Sequence, residues 1–171
     1  LAIGPMTTYY DLESSDLIKR YAPVLSEAAS NVADIQIRNA GTIGGSLSHA
    51  DPAGDLPAVA LALGAQLVVN TRRSSRIINI DRFFVDMMTT TLKPTELLTE
   101  IRIPSLSKGT GSSYQKFFNK ASHYAIVGVA AIVTLSNGIC VGAKIAITGA
   151  GPKAVRARRV ERILTGKKLD K

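Results

Sequence analysis

Apolar positions along the first hundred residues recur mostly at helical spacing. In residues 24–34, Val24, Leu25, Ala28, Ala29 and Val32 fall on one side of a predicted helix. Pro23 suits its first turn, where the missing N–H has no intrahelical partner to lose. Residues 11–21 predict a second helix, and residues 56–63 a short apolar one that Gly64 closes. Strands are predicted at LAIGP, at 66–70 and 76–80 around the polar turn TRRSS, and at 97–103 before Pro104. Asp81 is placed as the cap of a helical turn containing Phe83 and Phe84.

Beyond a Gly- and Ser-rich linker at 105–113 the texture changes. Residues 126–135 and 139–148 flank Asn137-Gly138, a hairpin signal because both central turn positions need positive φ. Ile139, Val141, Ala143, Ile145 and Ile147 alternate onto one face, with Lys144 and Thr148 on the other. Residues 154–165 predict a helix that buries Ala157, Val160 and Leu164, turns its arginines outward and stops at Gly166. The pattern is α+β, with two domains divided near residue 108: residues 1–106 and 111–171.

Composition narrows the class. A hydrophobic content of 46% and a charged content of 20% belong to a folded globular chain of 171 residues. No apolar run approaches the ~20 residues of a membrane-spanning helix. The first residues lack the basic and apolar regions of a signal peptide, so a cytoplasmic location is expected. Cys140 is the only cysteine; with His49 and His123 as isolated histidines, no metal site is expected. The net charge of +8 invites a nucleic-acid reading, but the 5% of aromatics do not interleave with the arginine clusters at 72–76 and 156–162. Solvated basic faces are the simpler account.

Chemistry concentrates in RNAGTIGGSLSHADPAGDLPA, residues 38–58. Gly41, Gly44 and Gly45 permit tight turns and close approach of backbone amides to an anion, while Thr42, Ser46 and Ser48 add hydroxyls. This composition suits a diphosphate, yet it is neither a P-loop nor a GxGxxG fingerprint. Glycine-rich turns often serve packing alone.

QIRNAGTIGGS (36–46) followed by DPAGDLP (51–57) resembles the second FAD-binding motif of the molybdenum hydroxylase flavoproteins, the family of aerobic carbon monoxide dehydrogenase and xanthine dehydrogenase. LAIGPMTTYYDL, TELLTEIRIP (95–104) and SSYQKFFNKASHYAIVGVAA (112–131) are similar to further family segments in the same order. The resemblance implies the second subdomain of a PCMH-type, vanillyl-alcohol-oxidase-like FAD-binding domain. Part of a CO-dehydrogenase flavoprotein C-terminal domain, an antiparallel sheet plus helices, would follow it.

By the same resemblance, Thr42, Ile43, Gly44, Gly45 and Ser46 wrap the FAD diphosphate through backbone amides, and Asp55 hydrogen-bonds polar groups of the flavin or its ribityl chain. Asp55 also suits a helix N-cap before Leu56, and both roles can coexist. Leu98 supplies a backbone contact, Lys116 aligns with a basic residue near the cofactor, and Tyr124 with a tyrosine against the isoalloxazine. His49 follows the loop within reach of a cofactor contact; His123 reads as a surface residue. No residue here is expected to be catalytic in its own right. FAD passes electrons from iron–sulfur clusters to an external acceptor, with molybdopterin on a large partner subunit and 2Fe-2S clusters on a small one. The family's AGG(H/Q)S-like first FAD motif is not in this sequence. Weak or no FAD binding by these residues alone is therefore expected, and a non-catalytic binding or assembly module of the same fold is the alternative.

Overall fold

The computed structural model describes residues 1–169. In chain order the elements are β1 (Ala2–Ile3), α1 (Tyr9–Ser14), α2 (Asp16–Tyr21), α3 (Pro23–Ser30), α4 (Ile35–Ala40), α5 (Ile43–His49) and α6 (Asp55–Leu63). Then come β2 (Gln66–Asn70), β3 (Ser75–Asn79), β4 (Phe84–Asp86), β5 (Thr89–Thr90), β6 (Leu97–Arg102), β7 (Thr110–Phe118), β8 (Ala125–Ser136), β9 (Ile139–Thr148), β10 (Val155–Arg156) and α7 (Arg158–Leu164). Two antiparallel sheets result, ordered β1-β6-β2-β3 and β10-β9-β8-β7, and β4 and β5 form a separate small hairpin. Among the described residues no helix is long and apolar enough to cross a membrane.

The expected hairpin forms in a sheet distinct from that of β6, with Asn137 at φ 50° and Gly138 at φ 77° in its turn. The two sheets nonetheless share one core, in which α6 packs against β8 and β9 with all nine of its residues buried. A helix apolar on every side belongs inside, and DLPAVALAL has no polar face beyond its first residue. Gly64 ends it in the left-handed conformation, as its position predicts.

Several expected elements are corrected. The helix at 11–21 is two helices, because Ser15 is extended, ends α1 and caps α2 with its own side chain. The helix at 24–34 stops at Ser30, and Asp34 instead caps α4 by accepting from the Ile37 amide at 2.9 Å. In the glycine-rich segment 38–58, Gly44 and Gly45 lie in a helix, Ile43–His49, rather than in tight turns. Thr42 caps α5, and Ile43 and Leu47 bury its inner side. Asn79, not Asp81, caps the turn at Ile80–Arg82, and Phe84 belongs to β4. Strand pairing overrides the Gly/Ser composition at 110–113, so the linker is shorter than predicted.

On β9 the alternation holds, but the small-residue face turns inward. Cys140, Ala146 and Thr148 are fully buried, whereas Val141 is 54% exposed. Alanine-rich α6 lies close against this sheet, leaving room for small side chains there. The final helix begins at Arg158 because Val155–Arg156 pairs with β9. Its buried residue is Glu161, not Val160, which is 45% exposed. Glu161 accepts from the Ile145 amide and the Arg156 guanidinium, both within hydrogen-bond distance, so its charge is matched. Arg158 approaches Asp81 at 3.3 Å and Arg76 pairs with Glu96 at 2.8 Å, so both arginine clusters are partly neutralised within the fold.

At the other side of the second sheet, Glu27 of α3 accepts from the Tyr114 amide (2.8 Å) and the Ser113 hydroxyl (3.2 Å). This carboxylate occupies the edge of β7 that would otherwise present an unpaired amide. Glu27→Ala is expected to cost about 1–3 kcal/mol, the penalty of stranding a partly buried donor. Urea unfolding measures it, and Glu27→Gln should recover most of the loss.

Candidate functional site

Thr42 begins α5 by accepting from the Gly45 amide at 3.1 Å, and the helix runs to His49 before Ala50 reverses the chain at φ 54°. Its first amides are engaged within the fold: Ile43 N donates to the Thr7 carbonyl at 3.0 Å and Gly44 N to the Pro5 carbonyl at 2.8 Å. Gly44 is required by this approach, since a Cβ there would stand 2.4 Å from the Pro5 Cβ and 2.6 Å from its carbonyl oxygen. Gly45 is different. It is exposed, and an added Cβ would meet only Thr42 Oγ1 at 3.0 Å.

After α5, residues 50–54 turn toward the second sheet and are tied to it. The Thr148 hydroxyl lies 2.8 Å from the Pro52 carbonyl and 2.7 Å from that of Gly54, and the Gly149 amide donates to Pro52 at 2.7 Å. Gly54 is the N-cap of α6, and Asp55 is its first residue rather than the cap. Residues on both sides of this turn line a cleft of about 240 Å³, with Ser46, His49 and Asp55 on one wall and His123 and Tyr124 on another. Val32, Ala33 and Ile37 supply an apolar side, and Tyr9 of α1 completes it. The volume is just below the usual range for small-molecule pockets, which suits a ring system more than a whole dinucleotide.

Asp55 is 6% exposed. One carboxylate oxygen accepts from the Tyr114 hydroxyl and the other from Lys116 Nζ at 2.8 Å. Lys116 Nζ also donates to the Asn31 carbonyl at 3.0 Å. Burial raises the carboxyl of Asp55 above its ordinary range, and the bonds from Lys116 and Tyr114 oppose that rise. The Tyr114 hydroxyl is held well above the usual tyrosine range by burial and by the adjacent carboxylate. Burial also raises Tyr9, against a hydrogen bond with Ser46.

The sequence-predicted residues thus divide. Ser46, His49, Asp55 and Tyr124 meet in one cleft. Thr42, Ile43, Gly44 and Gly45 form the start of the helix that carries the first two of these, so the expected tight turns at Gly44 and Gly45 are corrected to a helix N-terminus. Lys116 stands behind Asp55 and reaches the cleft only through it. Leu98 is buried in β6 opposite Val69, away from the cleft lining. Tyr9 was missed, because in TTYYDL nothing distinguishes it from an ordinary helix-start aromatic. His123 is exposed, as expected, and stacks on Phe118 at 5.5 Å while facing the cleft. Among the described residues no cluster of His, Cys, Asp and Glu could hold a metal ion.

Residues 1–106 match the family described as FAD binding domain in molybdopterin dehydrogenase. The chain belongs to this family. Residues 112–171 match the CO dehydrogenase flavoprotein C-terminal domain. Among relatives, the 6-hydroxypseudooxynicotine dehydrogenase complex subunit alpha of Paenarthrobacter nicotinovorans is 41% identical over 165 residues, 96% of this chain and 56% of that one. The carbon monoxide dehydrogenase medium chain of Hydrogenophaga pseudoflava is 36% identical over 171 residues, 100% of this chain and 60% of that one. A solved carbon monoxide dehydrogenase from Hydrogenophaga pseudoflava, which lacks the Mo-pyranopterin moiety, superposes with a TM-score of 0.96 at 39% identity, over 99% of this chain and 59% of that one. The chain therefore spans somewhat under two thirds of the length of the curated relatives it matches. The mixture of helices with antiparallel sheets agrees with this likeness.

Lys116→Met would leave the Asp55 carboxylate buried without its cation, at a cost of about 3–5 kcal/mol at pH 7. The carboxyl of Asp55, already raised, rises further in the variant. The variant's deficit is therefore smallest in acid, where Asp55 is protonated, and grows as pH climbs through the folded-state pKa. Chemical denaturation across pH 4–8 measures this dependence; a deficit constant with pH would contradict it.

Proposed function

We propose that this chain forms the cofactor-facing part of an FAD-binding subunit in a molybdenum hydroxylase complex. The observation that carries the reading is the convergence of Ser46, His49, Asp55 and Tyr124 on one cleft, from positions up to seventy-eight residues apart in sequence. The donor set fits a flavin. Apolar Val32, Ala33 and Ile37 face the cleft beside two tyrosines, and Asp55 offers acceptor capacity to a ring N–H or ribityl hydroxyl. Bound FAD supplies the redox chemistry. The chain's own part is to orient it and keep water from one side.

The anion contact differs from backbone wrapping alone. The amides of Ile43 and Gly44 are engaged, so the diphosphate is met by the Thr42 and Ser46 hydroxyls and the exposed face of Gly45. Leu98 contributes through the edge of β6 that lies beyond the reach of β1, which pairs only at Ile101 and Arg102. The division into residues 1–106 and 111–171 is part of the proposal, supported by the separate sheets and by the two matched family regions. The cleft then lies at their joint.

Names of the relatives, a subunit alpha and a medium chain, support assembly with other subunits. In this reading a molybdopterin-binding large subunit oxidises substrate and a small subunit carries 2Fe-2S clusters. Electrons reach an external acceptor through the flavin held here. A second reading, a binding or assembly module without FAD, is favoured by the internal engagement of the Ile43 and Gly44 amides. FAD binding decides between them.

Equilibrium dialysis of the chain against FAD is expected to show weak, saturable 1:1 binding that strengthens when the relatives' N-terminal FAD motif is supplied. Gly45→Val should weaken it about tenfold or more, because side-chain bulk at this exposed position blocks close approach of the diphosphate. Circular dichroism checks that the variant stays folded. Unchanged affinity in a folded variant would count against the Gly45 contact, and no saturable binding would favour the assembly module.

A further inference from the structure

We propose that Tyr114 is a positioning residue for Asp55, aiming its carboxylate into the cleft so that a flavin N–H or O–H donor is recognised there. The proposal rests on the flavin reading above and names a residue that the cleft lining does not include. Tyr114 is 2% exposed and lies on the inner face of β7, and its hydroxyl donates to Asp55 Oδ1. To reach that oxygen it crosses β8 at Gly128. A Cβ on Gly128 would stand 2.3 Å from the Tyr114 hydroxyl and 2.8 Å from Thr148 Cγ2, so the glycine is the gap through which the hydroxyl passes.

The two donors to Asp55 do different work. Lys116 Nζ is fixed from two sides, by Asp55 Oδ2 at 2.8 Å and by the Asn31 carbonyl at 3.0 Å, and supplies the opposite charge. Tyr114 supplies direction: with one bond on each oxygen, the plane of the carboxylate is set. An ionised carboxylate has about four lone-pair sites, so about two remain for the cleft that Asp55 lines. A buried carboxyl with fewer donors takes up a proton at higher pH, and a protonated Asp55 loses acceptor capacity toward the ligand. The other titratable groups around it are Tyr9 from α1, Tyr124 and His123 from the turn between β7 and β8, and His49 and Asp51 along the α5–α6 turn. None of these is replaced in the experiment.

The test compares wild type with Tyr114→Phe, which keeps the ring and removes only the hydroxyl. Carbon-13 NMR follows the Asp55 carboxyl, and flavin fluorescence follows FAD affinity, both across pH 5–9 with FAD up to millimolar concentration. In Tyr114→Phe the Asp55 titration should move up by about one to two pH units, the equivalent of one hydrogen bond to a charged group. The acid-side loss of FAD affinity should move up with it, and affinity should converge on wild type toward the alkaline end. Gly128→Ala, which displaces the hydroxyl without removing it, should shift both in the same direction. Thermal unfolding reports whether either variant is merely less stable. An unmoved Asp55 titration, or an affinity lowered equally at every pH, would show that Tyr114 only packs, leaving the flavin reading intact. Absence of FAD binding by wild type at every pH would instead overturn the flavin reading and this proposal together.

Discussion

A carboxylate and an ammonium removed from water must find each other or unfold their surroundings, and Asp55 with Lys116 impose that condition on this molecule. Their side chains are 6% and 3% exposed, and they come from different parts of the chain, the first turn of α6 and the middle of β7. The pair therefore fixes how the second sheet sits on the central helix. Tyr114 adds a hydroxyl from the same strand, and Asn31 a carbonyl from the end of α3. What faces the cleft is the side of Asp55 that this arrangement leaves over. A site residue and a structural clamp are here one side chain.

Around that pair the packing is governed by size. Helix α6 has no polar face to give to solvent, so it is enclosed, and its alanines bring it close to β9, where Ala146 and Thr148 are fully buried. Larger β9 side chains are turned outward as a consequence. Both ends of the second sheet are finished by glutamates from helices, Glu27 on the β7 edge and Glu161 at Ile145. Each converts an open amide into a charge-assisted hydrogen bond. Thr148 and Gly149 then hold the Pro52–Gly54 turn, so the wall of the cleft inherits its position from the same sheet.

Much of the secondary structure was legible because local chemistry and tertiary packing agree there. Asn137-Gly138 has the left-handed turn its residues favour, Gly64 stops α6, and Pro23 starts α3. Misreadings occurred where a polar side chain had two possible partners. Ser15 caps rather than continues, Asp34 belongs to the following helix, and Glu161 turns inward because Arg156 and the Ile145 amide await it. At 41–45, glycine content suggested tight turns. The glycine at 44 instead serves close packing of a helix on Pro5, a distinction no composition reveals.

The sequence by itself determined the α+β class, the hairpin, the family resemblance through TIGGS and DPAGD, and the identity of Asp55 as a residue of consequence. These depend on local propensity and ordered motifs, which are properties of neighbours in the chain. Only the tertiary structure decided that Asp55 is bound to Lys116 and Tyr114, that Tyr9 joins Tyr124 across the cleft, and that Leu98 stands apart from it. Each of these relations links residues dozens of positions apart. Such contacts are set by which faces α6 can bury and where a buried charge finds its partner, and neither is encoded in any single stretch of sequence.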